Sequence, residues 1–367
     1  MKTSAAVEAD QSPADRATNA LSVAVDPAAT ALPRPRGPIS AGVHALLRGD
    51  PPRSMPPNDT ADPYGDDLHL ALHMCYELHY HGFDAVHPDR EWDPEVLRLR
   101  AGLENRFLTT LLHDVAGGRD LEHELDALTA APAEPGGVGA YLSAQGEWWQ
   151  MCEYFVHRSI YHHKEADPYV WAIPRLRGQA KAGLVAVEFD EFGGGRGDRV
   201  HARLFADLLA GAGLRPDYLH YLDMVPAPML ALVNMMSLFG LHGRWRGALI
   251  GHFATVEITS SPAARQLTDA LRRMNADPAC IRFYTEHVEA DAVHEQVLRR
   301  EVIGDLLRQE PDQAASIVLG IQVTNLLEDR IERHLLEDSW GSGRTSLRYA
   351  PATSSPIECR HEGIRAP

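Results

Sequence analysis

Apolar residues return every three or four positions through most of the middle of the chain. In GEWWQMCEYFVHRSIYHHKEADP (146–168), Trp149, Cys152, Phe155, Val156 and Ile160 share one stripe, the spacing of a helix with one buried face. Pro168 predicts its end. DDLHLALHMCYELHYHGF (66–83) opens on two acids, which suit a helix N-terminus, and closes at Gly82. DPEVLRLRAGLENRFLTTLLHDV (93–115) has the same spacing and is followed by Gly117-Gly118. A helix from Pro174 to Phe192 runs into Gly193-Gly194-Gly195, and another resumes near Gly197. Further helices are predicted over 227–240, 244–258, 262–275, 280–308 and 312–338. No stretch shows strand alternation and no internal repeat is visible. The expected class is all-α, a helical bundle.

The two ends read differently. Residues 1–65 hold 10 of the 25 prolines and one aromatic, Tyr64. Such a segment buries too little apolar surface to offset its ordering entropy. It is expected to be a disordered tail that contributes no site residue and little stability. Residues 346–367 are expected to be a second flexible tail. Between them, 66–345 form one domain, with N-terminal helices over 66–135 and a core over 136–340.

The net charge of −16 argues against nucleic acid or an anionic membrane as partner. No apolar run approaches the roughly 20 residues of a membrane span, and the N-terminus lacks the apolar core of a secretory signal. The four cysteines, Cys75, Cys152, Cys280 and Cys359, are scattered, as expected for unbridged thiols in a reducing compartment. The expected location is cytoplasmic.

The segment FYTEHVEADAVHEQVLRR (283–300) carries His287, Asp291 and His294. At about 100° per residue, their side chains leave the helix within a sector of about 60°. Two imidazoles and a carboxylate on one stripe can ligate a metal, or be ordinary surface residues. Further donors stand on other predicted helices. Glu165 lies in HHKEADP, Glu191 and His201 flank the glycines, and Glu257 sits in the apolar stretch ALIGHFATVEI. Alone, Glu165 reads as a solvated helix-end acid and His201 as a packed histidine. Glu191 competes with Glu188 and Asp190. Glu257 is the most telling, because a lone carboxylate is costly to bury unless paired or metal-bound. The triglycine is either a helix stop or a close approach to a ligand. If Glu165, Glu191, Glu257 and Asp291 converge, their four negative charges match two divalent cations, and the mixed carboxylate–imidazole set suits iron or manganese.

The ordered series Glu165, Glu191, His201, Glu257, His287-xxx-Asp291-xx-His294, with YHHKEADPYVWAIPRL, FDEFGGG and CYELHYHGF, resembles the haem-oxygenase-like diiron oxidases and oxygenases, in the branch labelled iron-containing redox enzymes. The likeness runs over about 66–340. It implies a haem-oxygenase-like bundle with two Fe(II) ions between core helices, O2 as co-substrate, and a homodimer. Carried over by position, Glu165, Glu191, His201, His287, Asp291 and His294 match the metal ligands, and 136–340 becomes a metal-binding core. Glu257 matches an additional carboxylate of the N-oxygenating members, so Glu257 and Asp291 are the residues placed closest to the chemistry.

The resulting expectation is an O2-dependent N-oxygenase acting on a primary amine or related nitrogen of a small amino-acid-like substrate in secondary-metabolite biosynthesis, with an external electron donor. A diiron desaturase or oxidative decarboxylase acting at carbon, and a non-catalytic iron-binding helical protein, are the alternatives. Met235, Met236 and Phe239 are candidate pocket residues or plain core. Arg203, Arg244 and Arg246 are candidate carboxylate binders or solvated surface residues.

Overall fold

A computed structural model describes residues 30–51, 60–130 and 136–349, with the backbone but not the side chains of 289–293. Among these residues the architecture is helical, and the extended pairing is an isolated bridge between Thr30 and Phe83. The first helices are α1 (Pro38–Arg48), α2 (Asp66–Glu77), α3 (Pro94–Asp114), α4 (Leu121–Thr129) and α5 (Gly137–Ala144). Next come α6 (Trp148–His162), α7 (Asp167–Val170), α8 (Gly178–Glu191), α9 (His201–Gly211) and α10 (Ala227–Leu241). The chain then forms α11 (Arg246–Arg273), α12 (Pro278–Gln296), α13 (Gly304–Gln309) and α14 (Gln313–Arg333). A π-helical stretch, Val297–Ile303, joins α12 to α13.

α11 is the hub, with α12, α14 and α5 packed along it. Its contact with α14 is backbone against backbone. A Cβ on Gly251 would meet the Ile317 carbonyl oxygen at 2.1 Å, and one on Gly320 the Ala248 oxygen at 2.0 Å. Only hydrogen at both positions allows this crossing, which sets the height of α11 and of everything it carries. Gly320→Ala is therefore expected to destabilise the fold by about 1–3 kcal/mol or more, measured as a lowered denaturation midpoint.

Several sequence expectations change. The helices expected at 244–258 and 262–275 are one helix that continues through Pro262. Proline removes one backbone donor and disfavours a helix interior, but burial of Ile258, Ser261, Ala264 and Leu267 on one face carries the helix across it. α6 stops at His162, before Pro168, which instead enters the first turn of α7, where its missing N–H has no helical partner to lose. The expected tail over 1–65 contains α1, whose Ile39, Val43 and Leu47 are buried.

Tertiary contacts order that proline-rich segment. Asp67 on α2 accepts from the backbone N–H of Ile39 at 2.9 Å and of Ser40 at 2.7 Å, capping α1 from outside. Arg36 donates to Asp66 at 2.9 Å and to the Leu222 carbonyl at 2.7 Å. The acids that open α2 thus also anchor the preceding helix. At the other end, Ser346 and Leu347 are buried, and Glu153 accepts from the Ser346 N–H at 2.9 Å, so the core extends past 345. Residues 1–29 and 350–367 lie outside the described structure. Cys75 and Cys280 are free and buried, and Cys359 lies outside the described residues.

Candidate metal centre

Five elements deliver the candidate residues. Glu165 stands in the short turn between α6 and α7, Glu191 ends α8 and His201 begins α9. Glu257 lies within α11, while His287 and His294 lie on α12. The triglycine explains how Glu191 and His201 meet. Gly193, Gly194 and Gly195 all adopt positive φ, at 74°, 62° and 79°. A Cβ on Gly193 would stand 2.7 Å from the backbone of Arg199 and Val200. The loop folds back on itself there, and it is the chain's own backbone that needs the glycine. The His201 Nδ1 is brought to 2.7 Å from Glu191 Oε2.

Six of the seven sequence candidates form two adjoining groups, Glu165–His201–His287 and Glu191–Glu257–His294, each with donor atoms within 4.8 Å of one another. In the first, Glu165 Oε1 lies 3.5 Å from His201 Nδ1 and 3.6 Å from His287 Nε2. In the second, His294 Nδ1 lies 3.1 Å from Glu257 Oε2 and 3.5 Å from Glu191 Oε1. His201 approaches carboxylates of both groups. The seventh candidate, Asp291, sits on α12 between the two histidines, but its side chain lies outside those described.

These residues fit a metal on several counts. Glu165 Oε1 and His201 Nδ1 are buried without a hydrogen-bond partner, although His201 Nδ1 stands so near Glu191. Their lone pairs converge without the alignment of a hydrogen bond, as around a shared cation. The Phe283 carbonyl accepts from His287 Nδ1 at 2.8 Å, which leaves Nε2 with its lone pair toward Glu165. His294 is held similarly, with Asp190 Oδ2 3.3 Å from Nε2 on the side away from the cluster. Three carboxylates and three imidazoles are a donor set suited to iron.

The electrostatics of the metal-free protein agree. Burial pushes the Glu165 carboxyl up, but His162 beside it, with His201 and His287, holds it well below the usual range. Burial would lower His201 and His294, yet Glu191 and Glu165 raise the former to about 11, and Glu257 raises the latter to about 9. Protons thus occupy the place of cations. These raised values stabilise the metal-free fold fully below the ordinary histidine value of about 6.5, and the contribution is lost as pH rises through 9 and then 11. Metal binding needs both imidazoles deprotonated, so apparent affinity should climb over the same range. Anaerobic Fe(II) titration at pH 7, in buffers of different ionisation heat, is expected to show proton release. A buffer-independent heat would argue against His201 and His294 as ligands.

Other residues at the site were not singled out in the sequence. His162 Nδ1 contacts Glu165 directly. A cavity of about 60 Å³ among the candidate ligands shares Tyr161, His162, Val256, Ser260 and His287 with a larger one of about 350 Å³. The larger cavity reaches Arg158, Glu328 and Asp329. Arg158 pairs with Glu328 through two hydrogen bonds of 2.9 and 2.7 Å, and this partner keeps the buried guanidinium charged against the effect of burial. Tyr154, Arg158, Tyr161 and Glu165 recur at helical spacing, a polar stripe that ends at the site. That stripe was a usable signal.

Glu188, the rival of Glu191, is buried with neither oxygen hydrogen-bonded. Burial, then Glu191 and Glu257, push its carboxyl up to about 9. Met235, Met236 and Phe239 are plain core. Arg203 pairs with Asp207, Arg246 with Glu310, and Arg244 lies over Trp245. None of the three lines the larger cavity.

Residues 152–329 match the family described as "Iron-containing redox enzyme". The chain is also 26% identical over 164 residues to a nitrosourea synthase from Streptomyces achromogenes subsp. streptozoticus, a match covering 44% of this chain and 35% of the relative. The match thus spans about a third of that relative's length. No helix among the described residues is long and apolar enough to cross a membrane. The match to the iron-containing redox enzyme family, over residues 152–329, takes in every candidate ligand.

Proposed function

We propose that this protein is a non-haem diiron oxygenase that uses O2 to oxygenate a primary amine or related nitrogen of a small, amino-acid-like substrate. The observation that carries this reading is the pair of adjoining buried groups, Glu165–His201–His287 and Glu191–Glu257–His294, each able to hold one Fe(II). Asp291 would complete the set, so that four carboxylates balance two divalent ions. Bound iron would supply the activation of O2.

The chain's own part is binding, orientation and exclusion of water. The larger cavity has room for a molecule of amino-acid size, and it meets the ligand cleft at His287 and Ser260. Tyr154, Tyr161, Phe283 and Tyr284 wall it with aromatic surface, while Thr255, Thr259 and Ser260 offer hydroxyls from α11. A substrate held between them would place one end against the Glu165 group and exclude bulk water from it. Asp329 at the exposed lip favours a cationic group on the incoming substrate.

The choice of nitrogen over carbon rests on Glu257, the carboxylate matched in N-oxygenating members, and on a relative whose name denotes a product oxidised at nitrogen. The test is incubation of the Fe(II)-loaded protein with a panel of amines and amino acids under isotopically labelled O2. Labelled oxygen on nitrogen is the expected result. Loss of hydrogen without oxygen gain would favour desaturation, and O2 consumption unaffected by any substrate would argue against an oxygenase.

A further inference from the structure

The turn that presents Glu165 is held from an element outside the metal-binding helices. Lys164, one peptide earlier, points to α2, where its Nζ stands 2.6 Å from Glu77 Oε2 and 4.1 Å from the centre of the Tyr80 ring. The other Glu77 oxygen accepts from the Tyr218 hydroxyl at 2.7 Å. Both side chains of the ion pair are buried, Lys164 at 2% exposure and Glu77 at 0%. His163, between Lys164 and the end of α6, packs its ring against Phe205 and Tyr218. His162 and Glu165 touch each other. His162 and Glu165 are thus tied to each other and His163 and Lys164 to other elements, and the last three of these residues lie beyond the end of α6.

A buried ion pair is weak evidence for net stability, because desolvation offsets most of its attraction. What such a pair supplies is geometry, since each charge is costly anywhere but beside the other. The geometry matters at Glu165, because a carboxylate must approach a metal to roughly 2.0–2.2 Å, and a support displaced by about 1 Å is enough to spoil a site. A peptide unit fixed at Lys164 leaves the neighbouring Cα of Glu165 little freedom.

We propose that Glu77 and Lys164 are a positioning pair, which sets where the Glu165 carboxylate stands and so governs metal binding at the Glu165–His201–His287 group. The N-terminal helices α1 and α2 thereby act on the metal centre without contributing a ligand. The inference rests on the diiron reading above. Residues that orient metal ligands typically change affinity by about 10–100-fold when replaced.

The test uses the full chain with Glu77→Gln, Lys164→Met and the two combined. Anaerobic Fe(II) titration reads affinity and stoichiometry, Co(II) absorption reads coordination geometry, and thermal melting of the metal-free protein reads stability. Wild type should bind two ions. Each single variant should bind one ion as wild type does and the other about 10–100-fold more weakly, with an altered Co(II) spectrum. The double variant leaves no unpaired buried charge, so its melting midpoint should recover while the weakened site stays weak. If a single variant does not fold, the double variant carries the comparison. Wild-type affinity and spectrum in the variants would overturn the proposal, as would joint recovery of midpoint and affinity in the double variant. A wild-type protein that binds no Fe(II) would instead remove the diiron reading itself, and the positioning role with it.

Discussion

Glu165→Gln is expected to abolish iron binding at the Glu165–His201–His287 group while the second group keeps its ion. The change retains the size of the side chain and removes the carboxylate whose Oε1 faces His201 and His287. Loss of a ligand should exceed the roughly 10–100-fold effect of losing an outer partner. The metal-free protein should also lose stability at neutral pH. The Glu165 carboxyl is held well below its ordinary value, against burial, by His162, His201 and His287. That contribution is present above the ordinary value and disappears as pH falls through the depressed one. The gap between variant and wild type should therefore close in acid. Glu188→Gln is the matching control. That carboxyl belongs to neither ligand group, and burial pushes it up in the metal-free protein, so iron stoichiometry should change little. Two ions in the Glu165→Gln protein, counted by chelator release, would show that Glu165 is not a ligand.

Removal of residues 1–51 is expected to be the most damaging change away from the site. It deletes α1, with buried Ile39, Val43 and Leu47, each worth about 1.5–3 kcal/mol of burial, or about 5–9 kcal/mol together. A domain's whole stability is about 5–15 kcal/mol. The deletion also strips Asp67 of the backbone groups it caps and Asp66 of Arg36. Insoluble protein, or a melting midpoint lowered by many degrees, is the expected outcome, with removal of 1–29 alone as reference. A truncated protein that melts like the wild type would show that α1 only rests on the surface. Because α1 packs on α2, which carries Glu77, iron binding should weaken with the fold.

The sequence alone determined the helical class, because apolar spacing is a local property that each helix carries independently of its partners. It also singled out the candidate ligands. The spacing of His287 and His294 places both on one helix face, and a carboxylate in the apolar surroundings of Glu257 has few bland explanations. Their division into two groups was a matter of tertiary structure. His201 meets Glu191 because three left-handed glycines turn the chain back, and Glu165 stands between His201 and His287 because α6 ends at His162, well before Pro168, which predicted its end. Composition misjudged 38–48, since the cap on α1 comes from Asp67 and its covering surface from α2 and α3, neither of which its own residues reveal. Pro262 misled for the same reason, a local penalty outweighed by burial along α11. Arg158 pairs with Glu328 and Lys164 with Glu77 across 170 and 87 positions, and no local rule links residues so far apart. What depended on one helix was legible in its own residues, whereas the centre is made where five elements meet, and only the packed chain fixes those distances.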